Sequence, residues 1–294
     1  MTSVCMMLKS HGPDLPYAMR MVDSFSANNA AGLALYIVVP EEDRASFTAL
    51  ARQDVTILDE REFAPYLAEQ DVNGYRRGYI NQEIVKLSFW ELGLSDATFL
   101  VDSDAEFLRP FDADDFLAAD GTPFTFVTED RWLQSEPQYH REYWDQRRAL
   151  IEKIEDLLEF RPTFLRTAHG NTLFSSDVLR SWKDEFLAPR GWSYLDAVTE
   201  VPLEFSWYSL WLQKRLPVPF IPREPIVKVF HNRNQHIESV LRGETAASLA
   251  RRYVAAIVNS NYARYYGLVS VRDQAERVLG TYLGYGDVWN ALRG

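Results

Sequence analysis

The stretch TFLVDSDAEFLRPF, residues 98–111, joins an apolar run to a pair of carboxylates. Its first four residues, TFLV, have the continuous apolar character of a strand that is buried on both faces. Asp102 and Asp104 follow at once, separated only by Ser103. Two acids at the exit of a buried strand indicate either a solvated turn or a metal site, and the elements around the stretch decide which is favoured.

Before this stretch, apolar runs of strand length alternate with helical patterns. The apolar spacing predicts strands at 3–8, 32–40 and 55–59 and helices at 15–29, 41–53 and 78–94. The alternation is typical of a parallel sheet with helices on its faces. The acid pair then lies at the carboxyl end of the fourth strand, where open α/β sheets bind their ligands.

After this stretch the pattern is less regular. It predicts strands at 123–129 and 226–232, helices at 139–160 and 204–216, and a strand edge leading into a helix over 172–187. The region beyond residue 236 is expected to be mainly helical, and no internal repeat is visible.

Composition excludes several classes of protein. Of the 294 residues, 47% are apolar and 25% are charged, which is typical of a globular protein, and the formal net charge is -11. Non-specific binding to nucleic acid depends on Lys and Arg, so we expect no nucleic-acid partner. The single cysteine, Cys5, excludes an internal disulfide. No signal peptide or transmembrane run is visible, so we expect a cytoplasmic protein.

The acid pair has the chemistry of a site for a hard cation. In an extended segment, residues i and i+2 point to the same side, so Asp102 and Asp104 are expected to converge. Mg²⁺ and Mn²⁺ prefer oxygen ligands, and Mg²⁺ is often held by one or two carboxylates together with substrate phosphates. His231 ends the apolar strand IVKVF and is a candidate third ligand. The alternatives are a surface turn for the acids and a hydrogen-bonded loop residue for the histidine.

Other polar residues are candidates for contacts to a phosphate-bearing ligand. Gln82 and Lys86 are four residues apart on the predicted helix that precedes the acid pair, so they share one face. Arg77 stands at the start of that helix, and His169 precedes a glycine that permits close backbone approach. The alternative for each of the basic side chains is simple exposure to solvent, and for His169 it is a turn before a strand.

The segment YINQEIVKL…ATFLVDSDAEFLRPF resembles nucleotide-sugar glycosyltransferases of the GT-A fold. More narrowly, it is similar to an uncharacterised bacterial group associated with surface polysaccharide synthesis, with features like those of family 8 transferases. The resemblance implies a GT-A type, Rossmann-like, mostly parallel sheet flanked by helices, with a helical C-terminal region. It implies a catalytic domain over 1–235, with a nucleotide-binding half to about 130 and an acceptor half over 131–235, followed by a helical extension over 236–294.

The resemblance also assigns roles. It implies that Mn²⁺ or Mg²⁺ is held by Asp102, Asp104 and His231 against the diphosphate of a UDP- or GDP-linked sugar. The residues implied for donor binding are Lys9, Arg77, Gln82, Lys86, Asp102, Ser103, His169 and Asn171. HGNTLF differs from the N-x-G loop of family 8 because Gly170 precedes Asn171 here.

The expected reaction moves the sugar to a saccharide or lipid-linked acceptor. Asp104, Glu204 and Asp130 are the candidate catalytic residues, the last two as bases in an inverting enzyme. The family 8 likeness favours retention, in which the departing phosphate takes the proton. A lipid-linked acceptor is compatible with peripheral association at the inner face of the membrane.

Two alternatives stay open. A sugar nucleotidyltransferase would share the sheet and the metal, but KSHGPD, residues 9–14, has one glycine and one lysine where a Gly-rich phosphate loop is expected. In a non-catalytic carbohydrate- or partner-binding module, the acid pair would have only a structural role.

Overall fold

The strands decide the architecture. The computed structural model describes residues 2–128, 145–162, 167–168, 171–230 and 233–258. The strands in these residues are β1 (Val4–Lys9), β2 (Ala34–Val39), β3 (Val55–Asp59), β4 (Ala97–Val101), β5 (Ala105–Phe107), β6 (Thr125–Thr128), β7 (Thr167–Ala168), β8 (Leu173–Ser175), β9 (Pro222–Arg223), β10 (Val227–Phe230) and β11 (Ala255–Val258).

Helices connect and cover these strands. The α-helices are α1 (Leu15–Asn28), α2 (Arg44–Phe47), α3 (Arg77–Ser88), α4 (Asp145–Leu157), α5 (Ser176–Trp182), α6 (Tyr194–Glu200), α7 (Glu204–Arg215), α8 (Arg233–Leu241) and α9 (Ala246–Ala250). Short 3₁₀ turns precede or follow several of them, and a π-helical turn at Lys183–Leu187 continues α5.

The central sheet has the order β3-β2-β1-β4-β8. The first four strands are parallel, and β8 is antiparallel to β4. Two smaller sheets, β10-β11-β5 and β7-β6-β9, lie beside it. The predicted fold class, a mostly parallel α/β sheet flanked by helices, is confirmed.

Two hydrophobic cores cover the two faces of the central sheet. On β1, Met6 and Leu8 pack with α1 in one core, whereas Cys5 and Met7 pack with α3 and α7 in the other. The alternation follows from the two-residue period of a strand. On β4, Phe99 belongs to the first core and Leu100 to the second, so both faces of this strand are buried.

Helix α3 and the turn after it deliver β4 to the centre of the sheet. After α3, a 3₁₀ turn at Phe89–Leu92 ends at Gly93, whose φ of 64° is a left-handed conformation that favours glycine. The helix predicted at 78–94 and the strand that follows it are therefore both present.

Two elements differ from their predictions. The helix predicted at 41–53 is broken into 3₁₀ turns on either side of the four-residue α2. There the Thr48 hydroxyl donates to the carbonyl of Arg44 at 2.8 Å, a side-chain bond that competes with helical geometry. The region expected to be mainly helical after residue 236 also contains β11, which pairs with β10 and β5. The proposed division of the chain into domains stays a prediction.

Candidate functional site

The central sheet has a topological switch point between β1 and β4. The chain runs outward from β1 through β2 to β3 and then returns to the other side of β1 as β4. Leu8 is level with Val101 in the pairing of β1 with β4. The residues that follow these two strands therefore lie side by side at the carboxyl edge, where doubly wound sheets bind ligands.

The acid pair lies on a turn at this edge. β4 ends at Val101, and the backbone N–H of Ala105 donates to the carbonyl of Asp102 at 3.1 Å. The sequence predicts that Asp102 and Asp104 point to the same side because their segment is extended. The segment is a turn, so the premise of this prediction is wrong. Both aspartates are half-buried and Ser103 is buried. The turn sends the chain out of the central sheet into β5.

Asn171 holds Asp102 from the neighbouring segment. The Asn171 side-chain oxygen accepts from the backbone N–H of Asp102 at 3.2 Å, and its amide nitrogen donates to Oδ2 of Asp102 at 3.4 Å. Asn171 is 3% exposed and has a φ of 63°, a conformation that asparagine tolerates better than most residues. The structure thus brings together two of the predicted site residues.

Lys86 approaches the same aspartate from α3. Its ammonium lies 2.8 Å from Oε1 of Glu204 at the start of α7, and both side chains are buried. Burial alone would lower the pKa of Lys86, but the carboxylates of Glu204 and Asp102 overcome it and raise the pKa. Lys86 therefore carries a permanent positive charge beside Asp102. The Phe205 ring, 4.8 Å from the ammonium, covers it further.

Glu83 completes this buried cluster. Its Oε2 accepts from the backbone N–H of Glu204 at 3.2 Å, which satisfies one of the free donors at the start of α7. Burial first, and then the neighbouring Glu204, raise the pKa of Glu83 well above its ordinary value. The pKa of Glu204 is lowered, because burial is outweighed by Lys86, the Glu83 hydrogen bond and Arg147 on α4. These opposite directions favour the proton on Glu83 and the negative charge on Glu204.

The end of β1 supplies a second buried charge and a buried hydroxyl. The Lys9 ammonium lies 3.0 Å from Oε2 of Glu60 and donates to the carbonyl of Ser10 at 3.1 Å. The hydroxyl of Ser10, a residue only 3% exposed, has no hydrogen-bond partner among the described residues. The backbone N–H of Gly12 donates to Asp43 at 2.7 Å, and a Cβ at Gly12 would meet that carboxylate at 2.5 Å.

The remaining predicted residues are spread along the chain. Gln82 is half-buried on α3, and Arg77 is exposed at its first position, where its backbone N–H donates to Asp71 at 2.8 Å. Asp130, His169 and His231 lie outside the described residues. The predicted roles of all these residues stay predictions.

The donor set at the turn suits a hard cation. Within the described ranges, no group of three or more His, Cys, Asp or Glu side chains is arranged to hold a metal ion. Asp102 and Asp104 provide oxygen donors around a buried serine. Because Mg²⁺ is commonly held by one or two carboxylates plus substrate phosphates, two aspartates fit a metal that is shared with a phosphate ligand.

Comparison with known proteins identifies a family. The family model described as "Family of unknown function (DUF6492)" matches residues 19–253. The chain belongs to the DUF6492 family. No curated protein matches its sequence. Among solved structures, it is similar to the apo crystal structure of mouse xyloside xylosyltransferase 1, with 10% identity, a TM-score of 0.48, and coverage of 88% of this chain and 99% of that chain.

Sequence reasoning missed two polar residues of this DUF6492 site. Glu83 was visible as a charge three residues before Lys86, in the segment NQEIVKL. Ser10 gave no comparable signal, because its burial depends on how the segment after β1 packs. In the part of the chain that the structure describes, no helix is long and apolar enough to cross a membrane.

Proposed function

We propose that this protein is a metal-dependent glycosyltransferase that moves a sugar from a nucleotide-diphosphate sugar to a saccharide or lipid-linked acceptor. The observation that carries the proposal is the Asp102 carboxylate at the switch point, fixed by Asn171 and lying near the buried ammonium of Lys86. This arrangement combines a metal-binding carboxylate with a permanent cation at the edge where parallel sheets bind nucleotides.

The donor diphosphate is the natural ligand for this combination of charges. As the bond between the sugar and the diphosphate breaks, negative charge collects on the leaving group, and a preorganised cation stabilises that charge. Lys86 supplies such a cation, because Glu204 holds it in place and its raised pKa keeps it protonated. The unpartnered Ser10 hydroxyl, at the end of the adjacent strand β1, is available to the same ligand.

Asp102 and Asp104 would hold Mn²⁺ or Mg²⁺, with His231 as the predicted third ligand. When bound, the metal would act as a Lewis acid toward the phosphoryl oxygens. The protein's own part is to orient Asp102, which Asn171 does through two hydrogen bonds.

The buried ion pair also bears on the stereochemical course. Glu204 has a lowered pKa and is occupied by Lys86, so we assign it to the support of Lys86 and not to proton removal. Together with the family 8 likeness of the sequence, this assignment supports the retaining course, which we propose. The bond from the anomeric carbon to the diphosphate breaks, the acceptor hydroxyl oxygen bonds to that carbon, and its proton passes to the departing phosphate.

The proposed setting is surface polysaccharide synthesis, with peripheral association at the inner face of a membrane where the acceptor is lipid-linked. It is supported by the resemblance of the segment around Asp102 to transferases of that kind.

The proposal is tested by measuring the binding of UDP and GDP with Mn²⁺, and the hydrolysis of a panel of nucleotide sugars with and without EDTA. We expect one nucleotide to bind only with metal and its sugar conjugates to be hydrolysed. Asp102→Asn and Asp104→Asn should each lower hydrolysis by at least about 100-fold, and Asp104→Asn should do so with an unchanged unfolding transition. Asp184→Asn, at an exposed carboxylate, is the matched control and should retain full activity.

The alternatives predict different results in the same assays. Absence of UDP and GDP binding at millimolar nucleotide with Mn²⁺, or full activity of Asp104→Asn, would contradict the proposal. Consumption of a nucleoside triphosphate with a sugar 1-phosphate would indicate a nucleotidyltransferase. The anomeric configuration of the first product, read by NMR, decides between retention and inversion.

A further inference from the structure

Two tyrosines form an exposed stacked pair at the start of α3. The rings of Tyr75 and Tyr79 lie 5.7 Å apart, centroid to centroid, at an interplanar angle of 26°. They are 37% and 40% exposed, and among the described residues they are the only large aromatic side chains in the exposed class. The other described aromatic residues are buried or half-buried, whereas these two rings are exposed to solvent.

The backbone beneath the pair is rigidly built. Val72 and Tyr75 exchange two backbone hydrogen bonds of 3.0 and 2.9 Å across Asn73 and Gly74, whose φ angles of 49° and 81° are those of a type I′ turn. The Asn73 amide donates to the carbonyl of Thr199 at 3.1 Å.

The Tyr79 ring is fixed by a hydrogen bond from its own hydroxyl. The Tyr79 hydroxyl donates to the carbonyl of Pro202 at 3.1 Å, in the short connection that leads into α7. The pair is therefore presented in a fixed geometry, which reduces the entropy lost when a ligand binds.

The pair lies on the same side of the sheet as the candidate site. Helix α3 leads into the parallel strand β4, so α3 begins at the carboxyl edge where β4 ends. Tyr79, Glu83 and Lys86 follow the i, i+4, i+7 spacing of one helix face. With a rise of about 1.5 Å per residue, the backbone of Tyr79 lies about 10 Å along the axis from that of Lys86.

The surroundings of the pair suit a small ring-shaped ligand. Residues 73–79 are all exposed, and apart from the tyrosines they are polar or glycine. A stable protein interface needs about 1,000 Å² or more, which two rings in a polar surface do not provide. Tyrosine supplies a flat apolar face and a hydroxyl at low entropic cost, which fits the apolar face of a pyranose and its hydroxyl rim. The exposed guanidinium of Arg76, with no ion pair among the described residues, adds hydrogen-bond donors beside the pair.

We propose that the Tyr75–Tyr79 pair binds the saccharide acceptor and holds it against the candidate active site. This inference rests on the proposed function, and it adds the residues that select the acceptor. The axial separation of about 10 Å between the backbones of Tyr79 and Lys86 is about the length of two sugar rings, so we expect one ring to stack on the pair and the next to reach the reacting centre.

Binding is tested without nucleotide, so that it does not depend on the transfer reaction. Maltotriose, cellotriose, chitotriose and a hyaluronan tetrasaccharide are titrated against the full chain, and saturation-transfer NMR and calorimetry measure the binding. We expect at least one probe to bind, and Tyr75→Ala to weaken it about tenfold. Tyr75→Phe should retain binding because it keeps the ring. Leu94→Ala, at a side chain 39% exposed, is the control and should bind as the wild type does.

Transfer kinetics provide the second readout. With the donor identified above, Tyr75→Ala should raise the KM for the acceptor about tenfold while the KM for the donor and the rate of donor hydrolysis stay unchanged. A merely structural tyrosine would alter thermal unfolding and both substrates together.

The two proposals fail separately. If the wild type binds no nucleotide but binds a probe through Tyr75, the transferase proposal falls and the saccharide site stands. If the wild type binds no probe at about 10 mM, or if Tyr75→Ala and Tyr79→Ala bind the probes as the wild type does, the saccharide site is overturned.

Discussion

Lys9 and Lys86 are two buried lysines near the same edge of the central sheet, and their environments act in opposite directions. Each side chain is 6% exposed, and each ammonium has a carboxylate within 3.0 Å. Burial lowers the pKa of Lys9, and Glu60, Asp43 and Glu42 only partly restore it. Around Lys86, the carboxylates of Glu204 and Asp102 more than offset the same burial and raise the pKa.

The difference shows that how strongly the neighbouring carboxylates interact with the ammonium, and not burial alone, decides whether a buried lysine stabilises the fold. A raised pKa means that the fold binds the ammonium more strongly than water does, and a lowered pKa means the reverse. The fold therefore stabilises the charged form of Lys86, whereas it destabilises the charged form of Lys9.

The largest expected effect is the loss of the Lys86 charge. Lys86→Met leaves Glu204 buried without its cation, and removing one partner of a buried pair typically costs about 3–5 kcal/mol. We expect the free energy of unfolding, measured by urea denaturation at neutral pH, to fall by that amount. The matched variant Lys9→Met should cost only about 1 kcal/mol, because it also removes an unfavourable buried charge. Equal losses in the two variants would refute the distinction between the lysines.

Much of the fold around these lysines could be predicted from the sequence. The mainly apolar runs that form β1, β2, β3 and β4 alternate with helical patterns, so their order was visible. Strand β11 was not, because a short apolar run such as AAIV does not distinguish a strand from a buried helix. Its structure is decided by pairing with β5, which lies about 150 residues earlier in the chain.

The site could be predicted only in part. Asp102, Asn171 and Lys86 were found from motif and helical face, and the structure brings these three together. The turn at Asp102 was not foreseen, because the two-residue period applies only while the chain stays extended. The raised pKa of Glu83 depends on α7 packing against α3, a contact between residues 121 apart in sequence.

An intermediate effect is expected in alkaline solution, where the two lysines should produce opposite slopes. Lys9 releases its proton in the folded state below the ordinary lysine pKa of about 10.4, so its contribution to stability rises as the pH approaches that value. Lys86 stays protonated beyond it, so its contribution is complete below about pH 10.4 and is lost above. Each contribution changes by at most about 1.4 kcal/mol per pH unit.

The pH dependence that each lysine contributes is obtained as the difference in stability between the wild type and the variant that lacks that lysine. Urea unfolding of the wild type, Lys9→Met and Lys86→Met is measured from about pH 8 to about pH 11.5. The wild type should gain stability relative to Lys9→Met up to about pH 10.4, and lose it relative to Lys86→Met above that pH. The same sign in both differences would show that one of the two pKa directions is wrong.

The smallest effect, at acid pH, is expected for Glu83→Gln. A protonated glutamic acid and a glutamine have nearly the same shape, and both can accept from the backbone of Glu204 and donate to its carboxylate. At about pH 5 we therefore expect the free energy of unfolding to change by less than about 1 kcal/mol. The raised pKa makes the Glu83 contribution complete below the ordinary value of about 4.3 and progressively lost as the pH rises through the folded-state value. Glutamine has no such loss, so the variant should become the more stable protein as the pH rises to about 7.

Glu83→Leu separates charge from hydrogen bonding. It also removes the ionisable group, but it leaves the backbone N–H of Glu204 without its acceptor, so we expect it to cost about 1–3 kcal/mol at every pH. If Glu83→Gln is instead destabilising by a similar amount at about pH 7, Glu83 is ionised in the folded state. Lys86 would then lie among three ionised carboxylates, those of Glu83, Glu204 and Asp102. The pKa of Lys86 would in that case exceed that of Lys9 by an even larger amount.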